Sequence, residues 1–565
     1  MDDPRKGERG DAKGRSIKLP LLPPGKEYPP GFNCREKPAT CEVELAYFLS
    51  DGFDLSKNQR LNILFIPGGP GAIIDTRNRT AALQTLEEKH NVVYFHPRGM
   101  GASAIDGSKV YDQFLRADYV VEDIERLRQE VLKGRPWDAI YAHSWGTVIA
   151  QRYAAKYGRA KDGSPKVKSL ILSAPVDRHR ADTHSARSRM IIDNLKAIFS
   201  YYRTSGSRDC QCRSDTYLRP LVADYTNPQI RPLDTRLGAN DNFCFLSHGA
   251  DERIAQELKK VLPQIDENYG SVDFVVDNYF QLKKTDKSFQ SKFSKFPIEF
   301  FAAVRYLQMT GAPEKGGLVF VAESSQRINA ALVIAYYLTP DNPGRCTLKN
   351  GIFGGTAENC DFCERFKGAS EALQSPGAAR ESKRGSYVFG AYDGVARWIS
   401  VMMGEKDCFA GKDMEKFINS HEDTKRFARD QVRKIGIVPK EKICPWNPAE
   451  YRHEVPTLLI KGDRDTVVAG CQAEDFFTNG LKDGSRVLLE FRGLGHDVSV
   501  ANLYEGADPS AWSTTFASLL EDFVRMSSAP TRFRGDPKVK AKLQKLKVSD
   551  RTRDPNIAAK CGNHS

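Results

Sequence analysis

A serine hydroxyl is a weak nucleophile at neutral pH. It becomes useful where the chain also supplies a base, a carboxylate to orient that base, and N–H donors for the oxyanion that forms when a carbonyl is attacked. Four separated segments of this 565-residue sequence carry residue types suited to those parts. Tyr141-Ala142-His143-Ser144-Trp145-Gly146 runs out of an apolar strand pattern and into a helical one, with small residues two places either side of Ser144. A nucleophile on a sharp strand-to-helix turn requires that pattern. Ile66-Pro67-Gly68-Gly69-Pro70-Gly71 is a glycine-rich loop at an earlier strand end. Gly69, with Gly68 as the alternative, is therefore the expected oxyanion donor, beside the N–H of Trp145. The strand pattern at 457–460 leads into Lys461-Gly462-Asp463-Arg464-Asp465, where Asp465 is favoured over Asp463 as the orienting acid. The strand pattern ending at Phe491 leads into Gly493-Leu494-Gly495-His496-Asp497, and His496 alone of the ten histidines sits on such a loop late in the chain. His143 is expected to point away from Ser144 and His96 lies on another strand end, so neither is favoured as the base.

Positioning four loops at one place requires a sheet, and the sequence has one. From about residue 41, short apolar runs at 42–49, 62–67, 92–96, 138–143 and 168–173 alternate with helical patterns, the sign of a mainly parallel α/β sheet. In 119–132, Val120, Ile124, Leu127 and Val131 fall on one helical face, and 147–157 reads similarly. After Pro175 the alternation stops. Helical patterns dominate 178–452, at 184–202, 251–262, 297–309, 324–338 and 414–434. Strand patterns resume at 457–460 and 486–491, followed by a closing amphipathic helix at 512–526. The spacing predicts an α/β sheet interrupted by an inserted helical cap and then completed.

The net charge of +12 does not imply a nucleic-acid partner, because it is concentrated at the ends. Residues 1–26 carry seven Lys or Arg against four Asp or Glu, and residues 529–565 carry ten against three. The basic end, with Lys538, Lys540, Lys542, Lys545 and Lys547, reads as a solvated, poorly ordered tail. The longest apolar run, near 330–338, is about half of the ~20 residues a membrane helix needs, so no membrane span is expected. The twelve cysteines show no zinc-ribbon spacing. Close pairs occur at Cys34/Cys41, Cys210/Cys212 and Cys360/Cys363, and their spacing leaves disulfides and free thiols equally open. No apolar stretch follows the charges of the opening residues, so no signal peptide is visible. A cytoplasmic protein and an exported one whose leader lies outside this sequence both remain open. No Walker loop, dinucleotide fingerprint or HExxH motif is present, so no cofactor and no metal are implied.

Taken together, PGGPG at 67–71, HPRGMGAS at 96–103, AHSWG at 142–146, and GDRD with GLGH near the end resemble the α/β-hydrolase superfamily. Within it the resemblance is to the proline iminopeptidase and tripeptidyl aminopeptidase-like serine peptidases. Cys41-Glu42-Val43-Glu44-Leu45 and Cys444-Pro445-Trp446 are similar to the tripeptidyl aminopeptidase-like members. His96 stands where the family has an acidic residue, Ala142 where it has Gly, and Ala469 where it often has Pro. The resemblance covers the sheet and implies an α/β fold: an α/β-hydrolase sheet with a large inserted helical cap domain. The expected organisation is an N-terminal extension (1–40), a first core part (41–177), the cap (178–452), a second core part (453–528) and a basic C-terminal tail (529–565). It implies a Ser144–His496–Asp465 triad, an oxyanion hole from Gly69 and Trp145, a structural part for Arg98, and cleavage of peptides from a free N-terminus. Cap acids would bind the amino group; Asp393 is similar to such a position, and a surface turn explains it equally well. A carboxylesterase or lipase using the same triad is the alternative, and a non-catalytic binding protein on the same fold is the third reading. The substrate is a small peptide or ester; oligomeric state is open.

Overall fold

A computed structural model describes residues 14–22, 28, 41–69, 80–103, 114–160, 162–176, 189–198, 250–269, 272–310, 334, 337–338, 452–468, 472–481, 485–496, 498 and 509–554. Nine strands form one sheet: β1 (Arg15–Pro20), β2 (Glu42–Leu49), β3 (Asn62–Ile66), β4 (Asn91–Phe95), β5 (Ala139–His143), β6 (Leu170–Ser173), β7 (Thr457–Gly462), β8 (Arg486–Phe491) and β9 (Val548–Asp550). Their spatial order is β1-β2-β4-β3-β5-β6-β7-β8-β9. The six strands from β4 to β8 in that order pair in parallel, and antiparallel strands flank them on both sides.

The apolar runs that mark the central strands in the sequence are buried at almost every position, because helices cover both faces of the sheet. Strand alternation sorts the side chains. Leu64, Ile66, Val93, Ile140 and Leu172 face a core built with α2 (Ala117–Leu132) and α3 (Trp145–Tyr157). Ile63, Phe65, Val92, Tyr141 and Ile171 face the opposite core, under α1 (Ala81–Lys89) and the long C-terminal helix Pro509–Met526. The predicted α2 stripe of Val120, Ile124, Leu127 and Val131 is buried throughout.

Two buried ion clusters hold α2. Arg98 forms a two-point ion pair with Asp123, through Nε at 2.7 Å and Nη2 at 2.6 Å, and its Nη1 donates to the carbonyl of Leu21 at 2.6 Å. Arg98 thus ties the loop after β4 to α2 and to the N-terminal segment. Glu125 accepts from Arg128, Tyr153 and Lys166, linking α2 to α3 and the loop before β6. His96, where an acidic residue was expected, accepts the N–H of Ala102 at Nδ1 (3.0 Å) and packs on Phe48. The imidazole supplies the acceptor that the loop needs.

Between the adjacent strands β6 and β7 the chain leaves the sheet. Most of its described residues there are helical: 189–198, then α4 (Ala250–Tyr269), α5 (Val272–Thr285), α6 (Lys287–Phe293) and α7 (Ile298–Thr310). They share a separate apolar core centred on Phe289, Phe293, Phe300 and Phe301. The expected helix at 414–434, Asp393, Ala469 and the cysteines at 210, 212, 360 and 363 lie outside the described residues. Cys41 is disulfide-bonded, to a partner outside the described residues. No described helix is long and apolar enough to cross a membrane.

Described residues near both ends of the sequence depart from expectation. Arg15–Pro20, read as part of an extension, pairs antiparallel with β2 as a sheet edge. The basic C-terminal segment is not a free tail through its described residues. After the helix Pro509–Met526 (α8), it forms α9 (Pro530–Gly535), α10 (Pro537–Lys545) and β9 on the other edge. Phe533, Val539, Leu543 and Leu546 are buried there; Lys538, Lys540, Lys545 and Lys547 are exposed, while half-buried Lys542 pairs with Asp522 of α8. Apolar spacing under a charged surface decides this outcome.

Burial pushes the Glu125 carboxyl up, but hydrogen bonds from Arg128, Lys166 and Tyr153 outweigh it and bring its pKa to about 2. The stability it contributes is present above its unfolded value near 4.5 and is lost as pH falls towards 2. Glu125→Gln is expected to cost about 2 kcal/mol at neutral pH and to flatten the stability profile in that acid window. Urea unfolding midpoints measured across pH check both.

Candidate active site

The parallel strands deliver four loops to one edge of the sheet. The β5–α3 turn forces Ser144 into φ 50°, ψ −123°, where a non-glycine residue is strained. Backbone contacts hold the turn: Ser144 N–H donates to the Ser173 carbonyl at 2.9 Å, and Thr147 Oγ1 donates to the Ser144 carbonyl at 2.6 Å. Gly146 is required by close approach, since a Cβ there would lie 2.5 Å from the Pro67 carbonyl and 2.6 Å from that of Ile66. Ala142, where a glycine was expected, is fully buried beneath the turn, so a methyl group is accommodated at that position.

The acid loop follows β7. Asp465 is 4% exposed, and its Oδ1 accepts the N–H groups of Val467 and Val468, each at 2.9 Å. Asp463 turns instead to the neighbouring loop, where Oδ1 accepts the Gly493 N–H at 2.7 Å. The two carboxylates thus divide the work: one stitches the loops together, and the other faces His496. The loops approach so closely that a Cβ on Gly462 would sit 2.2 Å from the carbonyls of Leu494 and Gly495.

His496, 3% exposed, lies between the other two groups. Its Nδ1 is 2.9 Å from Asp465 Oδ2, and its Nε2 is 2.8 Å from Ser144 Oγ. A carboxylate at Nδ1 selects the tautomer that carries its proton there, leaving the Nε2 lone pair to accept from the serine hydroxyl. That is the arrangement of a general base on a nucleophile. The structure brings Ser144, Asp465 and His496 into one hydrogen-bonded series.

The glycine loop passes directly over Ser144. A Cβ on Gly68 would come within 3.0 Å of both Ser144 Cβ and His143 Cδ2, and Gly69 adopts φ 112°. Trp145 is the first residue of α3, whose N-terminal end carries partial positive charge towards the same place. Pro70 and Gly71 lie outside the described residues.

Three further residues at the site were not among the expected site residues. His143, expected to point away, has its ring centroid 4.9 Å from that of His496. The Gln308 carbonyl near the end of α7 accepts the His496 N–H at 3.3 Å, and Asn194 Nδ2 donates to the Arg464 carbonyl at 3.1 Å. The inserted helices therefore touch both the base loop and the acid loop. Adjacency to Ser144 was a usable signal for His143; Gln308 and Asn194 had none.

Sheet order, strained serine turn and loop positions together define the α/β-hydrolase fold. The sequence profile of the α/β hydrolase fold family matches residues 62–212. No curated protein matches the chain. Among solved structures, a serine hydrolase from Cycloclasticus zankles is 10% identical, with 90% of this chain and 99% of that one covered and a TM-score of 0.32. The proline iminopeptidase of Mycobacterium smegmatis is 10% identical over 86% and 97%, with a TM-score of 0.32. A proline iminopeptidase-related protein from Thermus thermophilus is 12% identical over 91% and 99%, with a TM-score of 0.34.

Gly462→Ala is expected to displace the His496 loop and slow fluorophosphonate labelling of Ser144 by about 100-fold, with the secondary structure intact. Mass spectrometry of the labelled protein and far-UV circular dichroism measure the two effects.

Proposed function

We propose that this protein is a serine hydrolase that cleaves peptides from a free N-terminus through an acyl-enzyme. The observation carrying the hydrolytic part is the series Asp465 Oδ2, His496 Nδ1, His496 Nε2, Ser144 Oγ, at 2.9 and 2.8 Å. The peptide part rests on the PGGPG, AHSWG, GDRD and GLGH segments, which resemble the aminopeptidase branch.

In this reading His496 Nε2 takes the hydroxyl proton as Ser144 Oγ bonds to the scissile carbonyl carbon, and Asp465 stabilises the imidazolium that results. The N–H groups of Gly69 and Trp145 hold the oxyanion. Collapse breaks the C–N bond, and His496 returns its proton to the departing amine. Water, deprotonated by the same imidazole, then attacks the acyl-enzyme and frees Ser144. Residues 178–452 serve as a cap over this edge, a role supported by the contacts of Asn194 and Gln308 with the acid and base loops. No step requires a cofactor, and the substrate is a small peptide.

Ser144→Ala is expected to lower kcat on aminoacyl and short peptidyl p-nitroanilides by at least about 10⁴-fold, and Asp465→Asn by about 10⁴-fold. N-acetylation of the same substrates should abolish turnover in the parent protein. Undiminished hydrolysis by Ser144→Ala would refute the mechanism. Turnover of p-nitrophenyl esters with none of any amide would shift the assignment to a carboxylesterase.

A further inference from the structure

We propose that His143 is a positioning residue for the His496 imidazole, an inference that rests on reading Ser144, His496 and Asp465 as a catalytic set. Asp465 and Ser144 hold that imidazole at its two nitrogens, 2.9 Å from Nδ1 and 2.8 Å from Nε2. Those two edge contacts still leave the ring small coupled rotations about its χ1 and χ2 bonds. A third ring contact restricts this freedom, and the His143 ring supplies one: the centroids are 4.9 Å apart and the planes are inclined at 57°.

His143 is well placed to act as a fixed wall. It is the last residue of β5, in register with Ser173 of β6, and its Nδ1 lies 3.4 Å from Ser173 Oγ. On another side the glycine loop closes over it, leaving a Cβ on Gly68 only 3.0 Å from His143 Cδ2. The ring is thus set by two strands and the loop that also covers Ser144. Its neighbour His496 is faced by the Asp465 carboxylate, the Ser144 hydroxyl and, at the backbone N–H, the Gln308 carbonyl. His496 gains a positive charge when it takes the serine proton. A permanent cation in the same place opposes that charge.

The test compares His143→Phe, His143→Ala and His143→Lys with the parent and with Ser144→Ala, using steady-state kinetics on the most rapidly hydrolysed p-nitroanilide or p-nitrophenyl ester and thermal unfolding of each variant. His143→Phe keeps a ring and should hold kcat within about threefold. His143→Ala should lose about 10- to 100-fold in kcat with KM within about twofold, while its unfolding temperature stays close to that of His143→Phe. His143→Lys should move the acid limb of kcat/KM down by about one pH unit, because a like charge disfavours the imidazolium. The inference is overturned if His143→Ala matches the parent in kcat, if its loss appears only in KM, or if His143→Phe is as impaired as His143→Ala. Ser144→Ala separates the two levels of the argument. Parent-like turnover in that variant removes the catalytic reading, whereas an inactive Ser144→Ala beside a fully active His143→Ala removes only the role of His143.

Discussion

Parallel pairing of β3, β5, β6, β7 and β8 is the constraint on which the site depends. A parallel sheet places the C-terminal ends of its strands along one edge, so the loops that follow become neighbours whatever their separation in sequence. Ser144 and His496 lie 352 positions apart and meet at 2.8 Å because β5 and β8 end on the same edge. Fine adjustment comes from glycine. Gly146 lets the serine turn sit against the end of β3, and Gly462 lets the histidine loop lie against the end of β7. A methyl group at either position would push a functional side chain out of line.

Charge is used differently in the two halves of this arrangement. Beneath the sheet, Arg98 with Asp123 and Glu125 with Arg128, Tyr153 and Lys166 lock helices and loops in place through several hydrogen bonds each. At the edge, Asp465 accepts from two backbone N–H groups and still faces His496, so its carboxylate is anchored and also engaged with a titratable partner. Buried, paired ions make a rigid base beneath the hydrogen-bonded series of Asp465, His496 and Ser144.

Sheet and site differ in how far the sequence reveals them. The runs at 42–49 and 486–491 coincide with strands Glu42–Leu49 and Arg486–Phe491, because apolar stretches bounded by turn residues leave little choice of ends. The residues Ser144, Asp465 and His496 are legible for the same reason: each follows a recognisable strand end. Arg15–Pro20 is not legible, since only Ile17 and Leu19 mark its apolar side and it becomes a strand only by pairing with β2. The C-terminal segment misleads through its lysines. Its structural signals were nonetheless present: Asp536 caps α10, Pro537 opens it, and Val539, Leu543 and Leu546 share a buried side. The orientation of His143 depends on the β6 neighbour and the glycine loop, which no local pattern encodes.

The return of the chain from β6 to the adjacent strand β7 also bears on how the molecule assembles. Ser173 pairs with Ile460 across about 290 residues of intervening chain, and joining such distant strands in an unstructured polymer carries a loop-closure cost that rises logarithmically with length. The helices between them have their own apolar centre around Phe289 and Phe301. Packing of that centre shortens the effective gap the chain has to close between the two strands.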